Sequence, residues 1–270
     1  MNSSIKTKRV QLFGVEIDLN SMRETVNIIQ KWLLAPENAC KFVVTPNVDH
    51  IVKVQTDIGL QAAYKQAALV VTDGKPVVWA ASLLGINIPG TVPGSDLVPA
   101  LFDAAELDKI ELAVFLLGAM PGVAERAQAN IHAKWSVVKV VGTLSPDFGF
   151  DKNEADSKKI CAIINSSGAQ LLILGLGAPK QELWVTKYAP QISVKVALCV
   201  GATIDFLAGE KARAPMWMRK LGLEWLHRML SEPKRLAKRY LVDAIVFPKL
   251  VFKEWLLHRL HYALLYKIAF

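Results

Sequence analysis

Residues 169–182, AQLLILGLGAPKQE, set the reading of the whole chain. The apolar run 171–174 is short enough for a buried strand, Gly175 and Gly177 break it, and Pro179 opens a helix. A strand, a glycine turn and a helix start, in that order, form the local unit of an α/β fold. Glycines let the backbone approach a ligand closely, and the free N–H groups of a helix's first turn favour an anion such as a phosphate. Lys180 and Gln181 add a cation and a neutral amide at the same helix start. The spacing departs from the full dinucleotide fingerprint, so the same residues also fit a tight β-to-α turn in an ordinary core.

The pattern recurs outward from this unit. Residues 10–17 suit a strand or hairpin, and Ser21 with Glu24 makes a capping box for a helix through about 34. A β-branched run at 41–45 leads through Pro46 to Asn47, and the residues through 68 have helical patterning. A strand-like run at 69–72 ends in Asp73-Gly74, followed by a helix at 76–84 entered at a proline and a Gly/Pro-rich loop at 85–97. Strands at 113–117, 137–141, 171–174 and 194–200 then alternate with helices at 123–135, 154–166 and 181–188. Such alternation predicts a Rossmann-like, mostly parallel sheet with helices on both faces and right-handed crossovers. In such a sheet ligands gather at the C-terminal strand ends.

Composition changes near Gly209. The 270 residues are 52% hydrophobic and 21% charged with a net charge of +8, which excludes a disordered chain. From Lys211 onward there are 13 Lys/Arg against 4 Asp/Glu, which leaves 19 against 20 in residues 1–210. The sequence therefore divides into an almost neutral core, 1–209, and a basic helical appendage, 210–270, with Pro233 and Pro248 as helix breaks. Basic and aromatic residues interleaved on amphipathic helices suit an anionic membrane surface, or remain a solvated helical cap. Cys40, Cys161 and Cys199 are far apart and lie in or beside apolar runs, which fits buried thiols. The N-terminal stretch has no uninterrupted apolar segment of signal-peptide type, and no apolar run reaches bilayer-spanning length.

Asp73, at a strand end beside a glycine, is the first candidate for a general base; an Asp–Gly turn or a helix cap would use the same residue. Thr45 and Asn47 at the neighbouring strand end could orient a sugar hydroxyl or cap a helix. Asp49 and His50 are adjacent on a helix and point apart, so no dyad between them is expected and His50 is read as structural. With no Asp-x-Asp and no metal-ligand spacing of histidines, the sequence points to no metal and no cofactor.

Six ordered blocks carry a resemblance. They are TPNVDHIV at 45–52, VTDGKPVVWA at 71–80, PGSDL at 93–97, FLLGAMPG at 115–122, LGLGAPKQE at 174–182 and the long block GATIDFLAGEKARAPMWMRKLGLEWLHRMLSEPKR at 201–235. The chain resembles the WecG/TagA/CpsF family of bacterial glycosyltransferases from about residue 10 to 245. The resemblance implies inverting, metal-independent transfer of a sugar from a UDP-sugar to a lipid-diphosphate-linked saccharide at the cytoplasmic face of the inner membrane. The UDP-sugar is a substrate rather than a cofactor, and its sugar is of the N-acetylmannosamine, N-acetylmannosaminuronic acid or glucose type.

By motif, the resemblance assigns Asp73 as the base, with Thr45 and Asn47 in the acceptor pocket. It places Gly118, Gly175, Gly177, Lys180, Gln181, Gly201, Asp205 and Arg213 on the nucleotide and diphosphate side. Two departures stand out: many members have an arginine just before the proline or alanine of PGSDL, whereas here Thr91 stands two residues before Pro93 with Val92 between, and Lys75-Pro76 replaces the Ile/Met-Gly pair of some members. Partners implied are the membrane surface and no nucleic acid, and a homo-oligomer is compatible with the sequence. The alternatives are an NAD-dependent oxidoreductase, which would need a G-x-G-x-x-G turn in a first βαβ unit, and a non-enzymatic membrane- or nucleic-acid-binding module.

Overall fold

The computed structural model describes residues 8–37 and 39–268, of which 258 and 260–268 as backbone only. An antiparallel hairpin comes first, β1 (Arg9–Leu12) and β2 (Val15–Asp18). Helix α1 (Met22–Leu34) starts at the expected capping box of Ser21 and Glu24. Then follow β3 (Lys41–Val44), α2 (Val48–Val54), α3 (Ile58–Gln66) and β4 (Leu69–Val70). One helix through 68 was expected; there are two, because the Asp57 carboxylate accepts from Leu60 N at 2.9 Å and caps a new start.

Helix α4 (Lys75–Leu83) and α5 (Gly94–Asp108) come next. The loop expected at 85–97 therefore ends at Pro93, and Gly94–Leu97 are the first turn of α5. The chain continues with β5 (Leu112–Gly118), α6 (Val123–Lys134), β6 (Val138–Leu144), α7 (Glu154–Ser166), β7 (Leu171–Gly175), α8 (Lys180–Tyr188) and β8 (Val196–Cys199). The remainder is helical: α9 (Thr203–Leu207), α10 (Met216–Lys220), α11 (Glu224–Ser231) and α12 (Pro233–Ile268).

Six strands form one parallel sheet in the order β4-β3-β8-β7-β5-β6, the hairpin being a separate two-stranded sheet. Parallel strands must be covered on both faces, which is why β5 and β7 read as unbroken apolar runs. On one face, residues such as Ile29 of α1, Phe102 of α5 and Ile131 of α6 pack beneath Val114 and Ile173. On the other, Ile51 of α2, Leu60 of α3, Cys161 of α7 and Trp184 of α8 pack beneath Phe115 and Leu172. The sheet thus delivers every strand's C-terminal end to one edge of the molecule.

The basic tail folds back over part of that edge. Met218, Leu236 and Phe247 are buried, and the Phe247 ring meets Phe13 edge-on at 5.4 Å between centroids. Pro233 breaks the helical run as expected, but Pro248 lies inside the continuous α12. It has no N–H for the Ala244 carbonyl, and both residues line the pocket described below. Among the described residues no helix is long and apolar enough to cross a membrane.

Candidate active site

The ends of β3 and β4 are stitched together by backbone hydrogen bonds. Val71 N donates to Val44 O at 3.1 Å and Asp73 N to Pro46 O at 2.8 Å, which brings Asp73 beside Asn47. Val92 N donates to Thr72 O at 2.7 Å and Thr72 Oγ1 to Gly90 O at 3.2 Å, fixing the loop after α4 along the same edge. The tail closes over these ends and leaves a cavity of about 580 Å³, lined among others by Asn47, Asp73, Lys75, Arg228, Tyr240 and Asp243. A cavity of this size suits a sugar and part of a phosphate chain.

Asp73 sits at the start of α4, where Gly74 holds φ at +101° and turns the chain from strand to helix. Burial pushes its carboxyl up to about 6, and the Glu224 and Asp96 carboxylates reinforce the shift, against the pull of Arg228 and His50. A carboxylate so raised is still largely ionised at neutral pH and is a stronger proton acceptor than an exposed one. Across the cavity Asp243 of α12 is also pushed up to about 6, chiefly by burial and then by the Asp49 charge, with Arg239, Lys53 and His50 opposing.

Asn47 lines this cavity, whereas Thr45 does not. The Thr45 hydroxyl is buried and donates to Cys199 O at 3.2 Å, tying β3 to β8 from within. Asn47 caps α2: its Oδ1 accepts from His50 N at 3.3 Å and lies 2.8 Å from His50 Nδ1. That leaves its amide nitrogen as the polar atom for a ligand. Asp49 and His50 point apart, as expected of neighbours on a helix. Asp49 takes Lys53 at 2.8 Å and faces Arg239 at 3.5 Å, while His50 Nε2 stands 3.5 Å from Glu182 Oε1.

The glycines of β5, β7 and β8 gather at the other part of the edge. Gly118 has φ at +120°, and a Cβ there would lie 2.6 Å from the Gly175 backbone, so only glycine lets the two strand ends meet. Gly177 and Gly201, both at positive φ, have open space where a Cβ would stand. Lys180 lies in this region with its Nζ 5.0 Å from the Phe148 ring and 3.7 Å from Asp151. Gln181 is buried: its Oε1 accepts from Gly201 N at 3.2 Å and its Nε2 donates to Glu182 Oε1 at 2.8 Å. Asp205, in α9, pairs with Lys211 at 3.8 Å.

Arg213 is engaged in holding the tail to the core. Its two terminal nitrogens donate to Ser95 O and Asp96 Oδ1, both at 3.0 Å, and its Nε lies 3.5 Å from Glu224 Oε1. Asp96 also receives Arg219 at 2.7 Å on each oxygen. Arg228 and Lys220 line the cavity and neither has an ion pair within 4 Å among the described residues, whereas Arg219 and Arg239, which also line it, are paired with Asp96 and Asp49. Sequence reasoning counted Arg228 only as part of a basic tail. Glu224 and Asp243 were passed over, and their one legible signal was being rare acids in that tail. Lys75 Nζ donates to Lys220 O, so the lysine at the motif departure also joins core to tail. Among the described residues no cluster of three or more His, Cys, Asp or Glu is placed to hold a metal ion.

The model of the glycosyl transferase WecG/TagA/CpsF family matches residues 10–261. Over 236 residues the chain is 28% identical to proteins of Staphylococcus aureus strains MRSA252, MW2 and NCTC 8325. Each is named N-acetylglucosaminyldiphosphoundecaprenol N-acetyl-beta-D-mannosaminyltransferase, and the match covers 86% of this chain and 88% of theirs. The matched span includes both the glycine-lined strand ends and the tail that roofs Asp73, and the chain belongs to the WecG/TagA/CpsF family of glycosyltransferases.

Proposed function

We propose that the protein transfers N-acetylmannosamine from its UDP derivative to a lipid-diphosphate-linked N-acetylglucosamine, in cell-envelope polysaccharide biosynthesis. The observation that carries this reading is Asp73, a carboxylate raised to about 6 in a cavity shared with Asn47 and the cation Arg228. The names of the Staphylococcus aureus relatives supply the sugar and the acceptor.

The acceptor hydroxyl attacks C1 of the sugar on the face opposite the diphosphate. A C–O bond forms there, the bond from C1 to the diphosphate oxygen breaks with its electron pair on that oxygen, and the hydroxyl proton passes to Asp73. Such a single displacement inverts the anomeric carbon. Asn47 orients the acceptor through its free amide nitrogen. Arg228, with Lys180 and the N–H groups of the glycine turns, meets the charge on the leaving diphosphate in place of a metal ion. The nucleotide lies along Gly118, Gly175, Gly177 and Gly201, with Asp205 at its nucleoside end.

The lipid-linked acceptor calls for a membrane surface. Trp217, Leu230, Leu241 and Phe252 are exposed on tail helices rich in Lys and Arg, an arrangement that suits peripheral binding to the anionic cytoplasmic leaflet. The deciding experiment offers UDP-N-acetylmannosamine, UDP-N-acetylmannosaminuronic acid and UDP-glucose with a synthetic lipid-diphosphate N-acetylglucosamine, read by mass spectrometry with and without EDTA. N-acetylmannosaminyl product in both conditions is expected; transfer from none of the donors sinks the reading, and transfer only from another sugar replaces the donor. Asp73→Asn should cut turnover by about 10²–10⁴-fold while UDP affinity is kept, and an active variant removes the base assignment.

A further inference from the structure

We propose that Glu182 and His50 are positioning residues that hold the acceptor pocket and the nucleotide turn in one register. The proposal rests on the reading of Asn47 as acceptor-side and Gly201 as donor-side. Glu182 is fully buried, and its Oε2 has no hydrogen-bond partner. A buried carboxylate is costly unless its environment uses the charge or the geometry, and an apolar side chain would pack there without that cost. What it contacts gives the reason for keeping it.

Two arms leave its Oε1. One runs 3.5 Å to His50 Nε2, and the His50 ring then places Nδ1 2.8 Å from Asn47 Oδ1 in the cavity wall. The other runs 2.8 Å to Gln181 Nε2, and the Gln181 carbonyl accepts from Gly201 N at 3.2 Å. The arms join α2, α8 and the turn after β8, three elements that meet only in the folded chain. Lys53 Nζ, donating to Ala178 O at 3.3 Å, clips α2 to the start of α8 a second time. Rigid junctions of this kind fix a reacting geometry, because an ångström of misplacement can be felt strongly in turnover. Neither Glu182 nor His50 lines the cavity, so each acts through a neighbour.

The test compares acceptor KM and calorimetric UDP Kd in five variants, Asn47→Ala among them. Glu182→Met keeps the volume and removes both oxygens; it should raise acceptor KM about tenfold and UDP Kd several-fold. Glu182→Gln restores an acceptor oxygen and should return both constants to within about twofold of the parent. In the double variant with Asn47→Ala, acceptor KM should be no worse than in Asn47→Ala alone, while UDP Kd stays raised. His50→Leu should raise acceptor KM and leave UDP Kd unchanged.

A purely structural Glu182 would lower the folded fraction, and with it kcat, without moving KM or Kd; that result overturns the proposal. If Glu182→Met does not fold, His50→Leu decides, since an unchanged acceptor KM in that variant breaks the relay. If Asn47→Ala itself leaves acceptor KM unchanged, it is the acceptor-side reading of Asn47 that fails, and the donor arm still stands or falls on the UDP Kd of Glu182→Met.

Discussion

The two parts of the sheet's C-terminal edge are built from different materials. Around β5, β7 and β8 the surface is backbone: Gly118 and Gly175 let the strand ends pack main chain against main chain, and Gly177 and Gly201 face open space. Around β3 and β4 it is side chains, with Asp73, Asn47, Arg228 and Asp243 under a roof of helices. Main-chain N–H groups keep one shape and one partial charge, which serves a ligand part that is always the same. Side chains in a part-dry cavity can have their proton affinity set by neighbours, which serves the reacting groups.

The contrast can be broken most severely on the backbone side. Gly118→Ala adds a Cβ 2.6 Å from the Gly175 main chain at a φ of +120°, where no flexible side chain can yield. It should cost about 3 kcal/mol or more by denaturant unfolding. In the protein that still folds, UDP affinity should fall at least about tenfold, since each 1.4 kcal/mol of lost binding is that factor. Unchanged UDP binding would detach the glycine turns from the nucleotide.

On the roofed side, Asp96→Ala takes the carboxylate from Arg213 and Arg219 together. Removing one partner of a pair leaves the other charge uncompensated, here partly relieved by solvent, so a loss of about 2 kcal/mol is expected. Limited proteolysis should then cut first between Leu207 and Pro233, with the glycine side intact. Uniform resistance to protease would show that α12 alone holds the roof.

The smallest effect concerns pH. Activity should rise through about pH 6 as Asp73 loses its proton. Stability runs the opposite way: a carboxyl whose native pKa stands above its unfolded value binds more protons when folded. Its stabilising share is full below about pH 4 and is lost as pH rises through about 6. Asp73→Asn removes that penalty and should gain about 1–2 kcal/mol at pH 7.5 after allowance for screening. A lower melting temperature at that pH would mean that the native fold needs the charge.

Much of the fold was legible because its signals are local. Apolar runs followed by glycine or Asn-Asp turn residues mark the strand ends, and the capping box at Ser21 marks a helix start within four residues. The split between α2 and α3 was missed because Asp57 looked like one polar residue on a helix face. Pro248 was overread as a break, since a proline in a long helix is tolerated where packing on α2 and the hairpin holds both halves. The lining of the candidate site was legible one motif at a time. Asp73 and Asn47 could be named, yet Thr45 turns inward to Cys199, and Arg213 is held by residues more than a hundred positions earlier.

The sequence by itself determined the alternation of strands and helices, the glycine turns, the candidate base and the basic tail, because each depends on residues a few positions apart. Only the tertiary structure decided that the tail roofs the β3–β4 end, that Arg228 and not Arg213 lines the cavity, and that Glu182 joins His50 to Gln181. Those facts depend on contacts between residues such as Lys53 and Ala178, or Asp96 and Arg219, whose meeting no local pattern encodes. Burial then set the proton affinity of Asp73, a property of the pocket and not of the motif that contains it.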